Sequence, residues 1–247
     1  MNAFSMKNMR FSYGERTLFT DASIEIFAGA ITGIIGANGV GKTTFFDILG
    51  GLVKVEDSVC LDYEVDLLYL SQIITVPPAL KMAEIYRLIA NLSGRQPLTE
   101  VELFGRFRQI SSRLAHRYIT LWNKRSYFCS YGEVRSFLAL SLLTLPADLY
   151  ILDEPTAGID LELQHYVWLA ARHVCEAGAS VVVSSHNIEE IVSNCNAFYM
   201  LRNQSFTPFR SGAEYMKTYT ADNLVQAFLN ALETESAPGL PDPKPTV

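Results

Sequence analysis

Eight consecutive residues constrain this 247-residue chain more than any other stretch: Gly36-Ala37-Asn38-Gly39-Val40-Gly41-Lys42-Thr43. They fit the pattern Gly-x-x-x-x-Gly-Lys-Thr/Ser. The run before them, 30–35, is rich in isoleucine and bounded by Gly29 and Gly36, which suits a buried strand. The run after them, 42–49, reads as a helix. A glycine-rich turn in that setting lets backbone N–H groups converge on phosphate oxygens. The helix that follows points its positive end at the same place. Lys42 is then expected to reach the β- and γ-phosphates of a nucleotide, and Thr43 to hold Mg²⁺. Asn38, Gly39, Gly41 and Thr44 belong to the same cradle.

A second stretch fits the first. Residues 149–154, Leu-Tyr-Ile-Leu-Asp-Glu, read as an apolar strand ending in two carboxylates. Alone, such a pair equally suits a strand end turning into solvent. In a parallel sheet, however, ligands sit at the carboxyl ends of strands. With the glycine loop in the same chain, Asp153 is expected to meet the Mg²⁺ and Glu154 to point at a water attacking the γ-phosphate.

The rest of the chain alternates strand and helix, with one interruption. Strands are expected at 3–11 and 23–27 around a turn at Tyr13-Gly14, and at 58–63 and 66–70. Pro77-Pro78 marks a break. From 79 to 128 helix formers dominate, with helices expected at 82–92 and 101–122. The alternation then returns: helix 133–144, strand 149–153, helix 161–175, strand 180–184 and a last strand at 197–201. Two short helices are expected within 212–232. The final stretch, 233–247, carries four prolines and few large apolar groups and is expected to be disordered. The expected plan is an α/β domain over 1–232, with a mainly parallel sheet. Its core spans 1–78 and 129–211, its helical subdomain 79–128 and its C-terminal helices 212–232.

Composition excludes several classes. Charged residues make up 19%, below the roughly 25% of typical soluble domains, and mean hydropathy is +0.14. The excess apolar character is not a membrane span: the longest strongly apolar stretch, 136–147, falls short of the ~20 residues a spanning helix needs. Residues 1–14 have no secretory signal pattern. Cys60, Cys129, Cys175 and Cys195 are scattered without Cys-x-x-Cys spacing, which fits a reducing compartment and argues against a disulfide scaffold or zinc site. A net charge of −6 disfavours a surface that grips nucleic acid. One segment runs against that sign. Arg106, Arg108, Arg113, Arg117, Lys124 and Arg125 are interleaved with Phe107, Tyr118 and Trp122 and contain no acid between them. Its readings are a solvated helix face, or contact with membrane headgroups or an acidic partner.

Taken in order, the motifs resemble the ATP-binding-cassette (ABC) ATPases, the nucleotide-binding subunits of ABC transporters, over roughly residues 3–232. Cys129-Ser130-Tyr131-Gly132-Glu133 resembles their signature, usually Leu-Ser-Gly-Gly-Gln. It lies some twenty residues before the acidic strand. Gln72 resembles their glutamine loop, Gly158-Ile159-Asp160 their D-loop, His186 their switch histidine and Tyr13 the aromatic that stacks on adenine. The resemblance implies a P-loop NTPase with an ABC-type core: a mixed, mainly parallel sheet, an N-terminal antiparallel β region and an inserted helical subdomain.

It also implies the chemistry. Two such domains dock head to tail around two ATP molecules, as a homodimer or with a different cassette. Each ATP lies between one phosphate loop and the other domain's Ser130, Gly132 and Asp160. Glu154, His186 and Gln72 serve hydrolysis, and Gln72 joins Thr43 and Asp153 at the metal. The partner is a polytopic membrane subunit, which places the chain in the cytoplasm against the inner or plasma membrane. The compact C-terminus, too short for a sugar-importer regulatory barrel, favours an exporter. The alternative is a soluble ABC ATPase serving a non-transport assembly. The signature departs from the family at Cys129, Tyr131 and Glu133 but keeps Ser130 and Gly132. Tyr131 must point away from the nucleotide or pack on the ribose. A docked membrane partner also calls for an apolar patch near Gln72.

Overall fold

The computed structural model describes residues 2–55 and 65–233. The strand expected at 58–63 and the tail beyond Glu233 lie outside the described residues. The chain begins with an antiparallel pair, β1 (Asn2–Tyr13) and β2 (Arg16–Phe27). The second strand starts seven residues before the expected 23. The register of the pair shifts repeatedly, and Leu18 and Phe19 are both buried, so the alternation that marks a strand in sequence is broken.

The main sheet has the order β4-β5-β6-β3-β7-β8. In chain order its parts are β3 (Ile31–Ile35), α1 (Lys42–Leu49), β4 (Leu67–Leu70), α2 (Met82–Leu92), α3 (Glu100–Ile110), α4 (Ser112–Trp122), a 3₁₀ turn (Ser126–Phe128), α5 (Tyr131–Leu142), β5 (Leu149–Asp153), α6 (Leu161–Glu176), β6 (Ser180–Ser184), α7 (Ile188–Asn194), β7 (Ala197–Arg202) and β8 (Ser205–Phe209). The helices α8 (Gly212–Thr218) and α9 (Leu224–Glu233) follow, as the two short helices expected there. The first five strands of the order run parallel, and β8 turns back antiparallel on β7. The strand expected to be last, 197–201, is therefore not the last. Asn203 and Gln204, at φ 46° and 64°, make the tight hairpin to β8. Pro208 disguised β8 in sequence and is tolerated because β8 is an edge strand.

Strands β3, β5 and β6 are buried at every position, as a parallel sheet covered on both faces requires. Their side chains alternate between two cores. Ile31, Ile35, Tyr150, Leu152, Val181 and Val183 face the layer that holds α2 to α6. Ile34, Leu149, Ile151 and Val182 face α1 and the β1–β2 pair.

The helix expected at 101–122 is two helices. Ser111 takes an extended conformation, and its hydroxyl accepts from the N–H groups of Arg113 and Leu114. A serine offering such a cap competes with helix continuation. The break lets α4 lay its apolar face on α5 while α3 packs against α4 and α6. Tyr118 stacks on Phe137 at 4.4 Å between centroids, and its hydroxyl meets Ser141 Oγ at 2.7 Å. The basic segment is largely spoken for within the chain. Arg113 pairs with Glu162 at 2.9 Å, Arg117 with Asp160 at 3.3 Å, and Lys124 with Glu133 at 3.5 Å. Arg106 donates to the carbonyl of Thr144. Four of its six charges are turned toward the chain's own α5 and α6 regions, while Arg106, Arg108, Arg113, Lys124 and Arg125 stay exposed, as the reading of a solvated helix face expects.

Phe137 is fully buried where the insert meets α5. Phe137→Ala is expected to cost about 3–5 kcal/mol, read as a fall in the denaturant midpoint with an unchanged slope.

Candidate nucleotide site

The parallel register puts the carboxyl ends of β3, β5 and β6 on one edge, with Ile34 and Asp153 both opposite Ser184. The glycine loop leaves β3 there and enters α1 through Gly41. Gly41 holds φ 116°, a left-handed conformation that favours glycine. No side chain caps α1, and its first turn holds no acid. Its leading N–H groups are thus open to an anion.

Lys42 folds back over the loop. Its Nζ donates to the carbonyls of Gly36 at 2.8 Å and Ala37 at 3.2 Å. Burial lowers the Lys42 ammonium pKa from its ordinary value, and the nearby Glu154 and Asp153 carboxylates partly offset this. Its hydrogen bonds go to neutral carbonyls, so a polyanion in the cleft would add to the compensation that Glu154 and Asp153 give.

Asp153 is gripped from both sides. Thr43 Oγ1 donates to its Oδ2 at 2.7 Å, and Ser184 Oγ donates to its Oδ1 at 2.5 Å. The N–H of Glu154 donates to Ser184 Oγ at 3.0 Å. Glu154 sits at φ 53°, an uncommon conformation for a residue with a side chain. Its Oε2 accepts the backbone N–H of His186 at 3.3 Å and lies 2.8 Å from that ring's Nδ1. The Glu154 side chain is 7% exposed and that of His186 68%. The carboxylate is therefore fixed while the imidazole stands at the rim.

A cleft of about 500 Å³ opens over these groups. It collects Tyr13, Asn38, Gly39, Gly41, Lys42, Thr43, Thr44, Gln72, Asp153 and Glu154. Each was expected there from sequence. A cleft of about 600 Å³ lies at the amino ends of β5 and β6, away from all of them; chemistry rather than size selects the site. Tyr13 is half exposed at the mouth, edge-on to Phe11 at 4.8 Å. The hydroxyl and carboxylate of Thr43 and Asp153 are hard oxygen donors that suit Mg²⁺. Among the described residues no group of three or more His, Cys, Asp or Glu could hold a metal.

Three expected residues stand apart from this cleft. Ser130 caps α5, accepting from the N–H of Glu133 at 3.1 Å, and Glu133 accepts in return from the N–H of Ser130 at 2.8 Å. Gly132 packs so closely that a Cβ there would lie 2.8 Å from the Gly158 carbonyl. Asp160 caps α6 by accepting from Leu163. Tyr131 neither lines the cleft nor folds inward; its ring lies over Gly158.

Two arginines near the site were missed in sequence. Arg16 lines the cleft and donates to the Gly39 carbonyl at 2.7 Å; nothing in its local pattern marks it. Arg135, buried in α5, donates to the backbone behind Asp153 and Glu154. A charge among the apolar neighbours of 136–142 was the signal for it, since such a charge needs partners.

The profile of the family described as ABC transporter matches residues 19–157. Protein McbF of Escherichia coli is 28% identical over 222 residues, covering 86% of this chain and 88% of McbF. The zinc import ATP-binding protein ZnuC of Anaplasma marginale is 29% identical, over 73% of this chain and 71% of ZnuC. The lipopolysaccharide export system ATP-binding protein LptB of Acidithiobacillus ferridurans is 28% identical, over 77% and 82%. A solved ATP-binding subunit of an ABC transporter superposes with a TM-score of 0.77 at 20% identity, over 93% of this chain and 99% of the other. That likeness establishes the shared α/β fold with its mostly parallel sheet. Since the profile spans more than half of the sequence, the chain belongs to the ABC transporter family, as an ATP-binding subunit that hydrolyses ATP.

Proposed function

We propose that this chain hydrolyses ATP to drive substrate translocation by a separate polytopic membrane subunit, more in the manner of an exporter. The observation that carries the reading is the Glu154 carboxylate. It is fixed beside His186 on the same sheet edge as Lys42, Thr43 and Asp153. In this reading Tyr13 stacks on the base. Asn38, Gly39, Gly41, Lys42 and Thr44 hold the phosphates. Thr43, Asp153 and Gln72 hold Mg²⁺, which supplies charge neutralisation on the β- and γ-phosphate oxygens. Glu154 orients the attacking water and takes its proton, and His186 contacts the γ-phosphate.

Ser130, Gly132 and Asp160 serve the nucleotide of a second cassette, identical or different. Their separation from this chain's own cleft supports that division of labour. Ser130 Oγ accepts from Glu133 and, among the described residues, donates to none, which leaves its proton for an outward acceptor. The core, 1–78 and 129–211, is the nucleotide-binding part, and the helical subdomain, 79–128, is the face toward the membrane subunit. Supporting this, Ile73, next to Gln72, is 84% exposed. Tyr127 and Phe128 are exposed on a turn that hydrogen-bonds to Pro77 and Pro78. Among the described residues no helix is long and apolar enough to cross a membrane. In this reading the membrane subunit supplies the span and holds the chain peripherally on the cytoplasmic face. Relatives named for export and for import match to similar extents.

Co-purification tests the whole reading. From detergent-solubilised membranes the chain is expected with a polytopic protein; a chain that fractionates wholly with soluble partners sinks the transport reading. Glu154→Gln is expected to slow ATP turnover by about 10²–10⁴, and turnover equal to wild type would remove Glu154 from the role of base. Gly132→Ala drives a methyl group into the Gly158 carbonyl. It is expected to lower turnover of the assembled complex by at least about tenfold, while nucleotide binding by the isolated chain persists.

A further inference from the structure

Arg135 is 2% exposed, one turn into α5, with Ser136, Phe137 and Leu138 buried after it. A guanidinium cannot shed its charge, so burial obliges it to find acceptors for its five N–H groups. Four are placed. Nε donates to the Glu154 carbonyl at 2.7 Å, one terminal nitrogen to the Asp153 carbonyl at 2.5 Å, and the other to the Gln72 carbonyl at 2.8 Å and the Tyr131 hydroxyl at 3.4 Å. None of these acceptors is a carboxylate. The charge grips the backbone of the site rather than forming an ion pair.

What it grips is strained. Glu154 at φ 53° persists only where its surroundings over-determine it. Its N–H is held by Ser184 and its carboxylate by His186, both from β6 and the loop after it. Its carbonyl is held by Arg135, from the helix that Ser130 opens. The same side chain fixes the Gln72 carbonyl. Tyr131, which replaces the family's glycine, lays its ring over Gly158 and offers its hydroxyl as the fourth acceptor.

We propose that Arg135 is a positioning residue that locks Glu154 and Gln72 into one frame with the first turn of α5. A shift of that turn, such as engagement of Ser130 and Gly132 by a second cassette's nucleotide, resets both residues together. The proposal rests on the reading of Glu154 as the residue that orients the attacking water.

The test is steady-state ATPase kinetics of the transporter complex with Arg135→Gln, Arg135→Lys and Arg135→Ala. Glu154→Gln runs in parallel, with exposed Arg210→Gln, just before α8, as the control expected at wild-type rate. Arg135→Gln is expected to lose about tenfold or more in kcat with ATP KM within about twofold. Arg135→Lys, which keeps the charge but not the fork, falls between. Added guanidinium is expected to restore part of the kcat of Arg135→Ala and none of Glu154→Gln. Should Arg135→Ala fail to fold by thermal melt, the other two variants carry the test. Wild-type kcat in a folded Arg135→Gln overturns the proposal, and so does a loss of kcat, ATP affinity and melting temperature together. If Glu154→Gln turns over normally, the reading of Glu154 falls and this proposal with it. If Glu154→Gln collapses while Arg135→Gln does not, only the proposal falls.

Discussion

A single hydrogen bond, Thr43 Oγ1 to Asp153 Oδ2, joins two pieces of chain 110 residues apart. The first turn of α1 and the end of β5 share it only because β3 and β5 both pair with β6, in parallel and in matching register. Parallel pairing demands crossovers, and crossovers bring every strand out at the same edge. One constraint therefore places the open helix end, the carboxylates and the loop that carries His186 within reach of one ligand. Ser184 shows how tight the placement is. Its hydroxyl donates to Asp153 and accepts from the N–H of Glu154, so one serine on β6 orients both acids of β5.

The helical segment is tied to this edge by packing more than by charge. Exposed ion pairs such as Arg113 with Glu162 are worth about 0–1 kcal/mol each. The aromatic stack of Tyr118 on Phe137 and the buried bond of Tyr118 to Ser141 carry more weight. The ion pairs still decide direction. Arg117 reaches Asp160, the cap of α6. The insert thus touches the core at both ends of the candidate interface with a second cassette: at α5, which Ser130 opens, and at Asp160.

Features with a local cause were legible in the sequence. The glycine loop and the acid-ended strand each depend on residues within a few positions. The misses share another cause. The break at Ser111 depends on one serine capping rather than continuing a helix, in a stretch where both outcomes satisfy the apolar pattern. The early start of β2 is hidden by bulges, and β8 by a proline that only an edge position tolerates. Arg16 touches Gly39 across 23 residues, and Arg135 reaches Gln72 across 63. Such partners are set by topology, which single-residue patterns do not carry.

The departures from the family's signature make physical sense once the helix around them is visible. Glu133 in place of glutamine sits in the first turn of α5, where a carboxylate favours the positive end of the helix. There it completes a capping box with Ser130, a task that glutamate performs as well as glutamine. Cys129 is partly buried and packs against the core behind the loop, and burial raises its thiol pKa. That keeps the sulfur neutral, as an apolar stand-in for leucine needs to be. Tyr131, the least conservative change, spends its ring on Gly158 and its hydroxyl on Arg135. Each altered position is answered within the chain itself. The two retained positions keep their places: Ser130 Oγ accepts from Glu133 and donates to none of the described residues, and Gly132 lies against a carbonyl that admits no side chain. A signature degenerate by spelling thus keeps the two features that the proposed contact with a second cassette's phosphate would use.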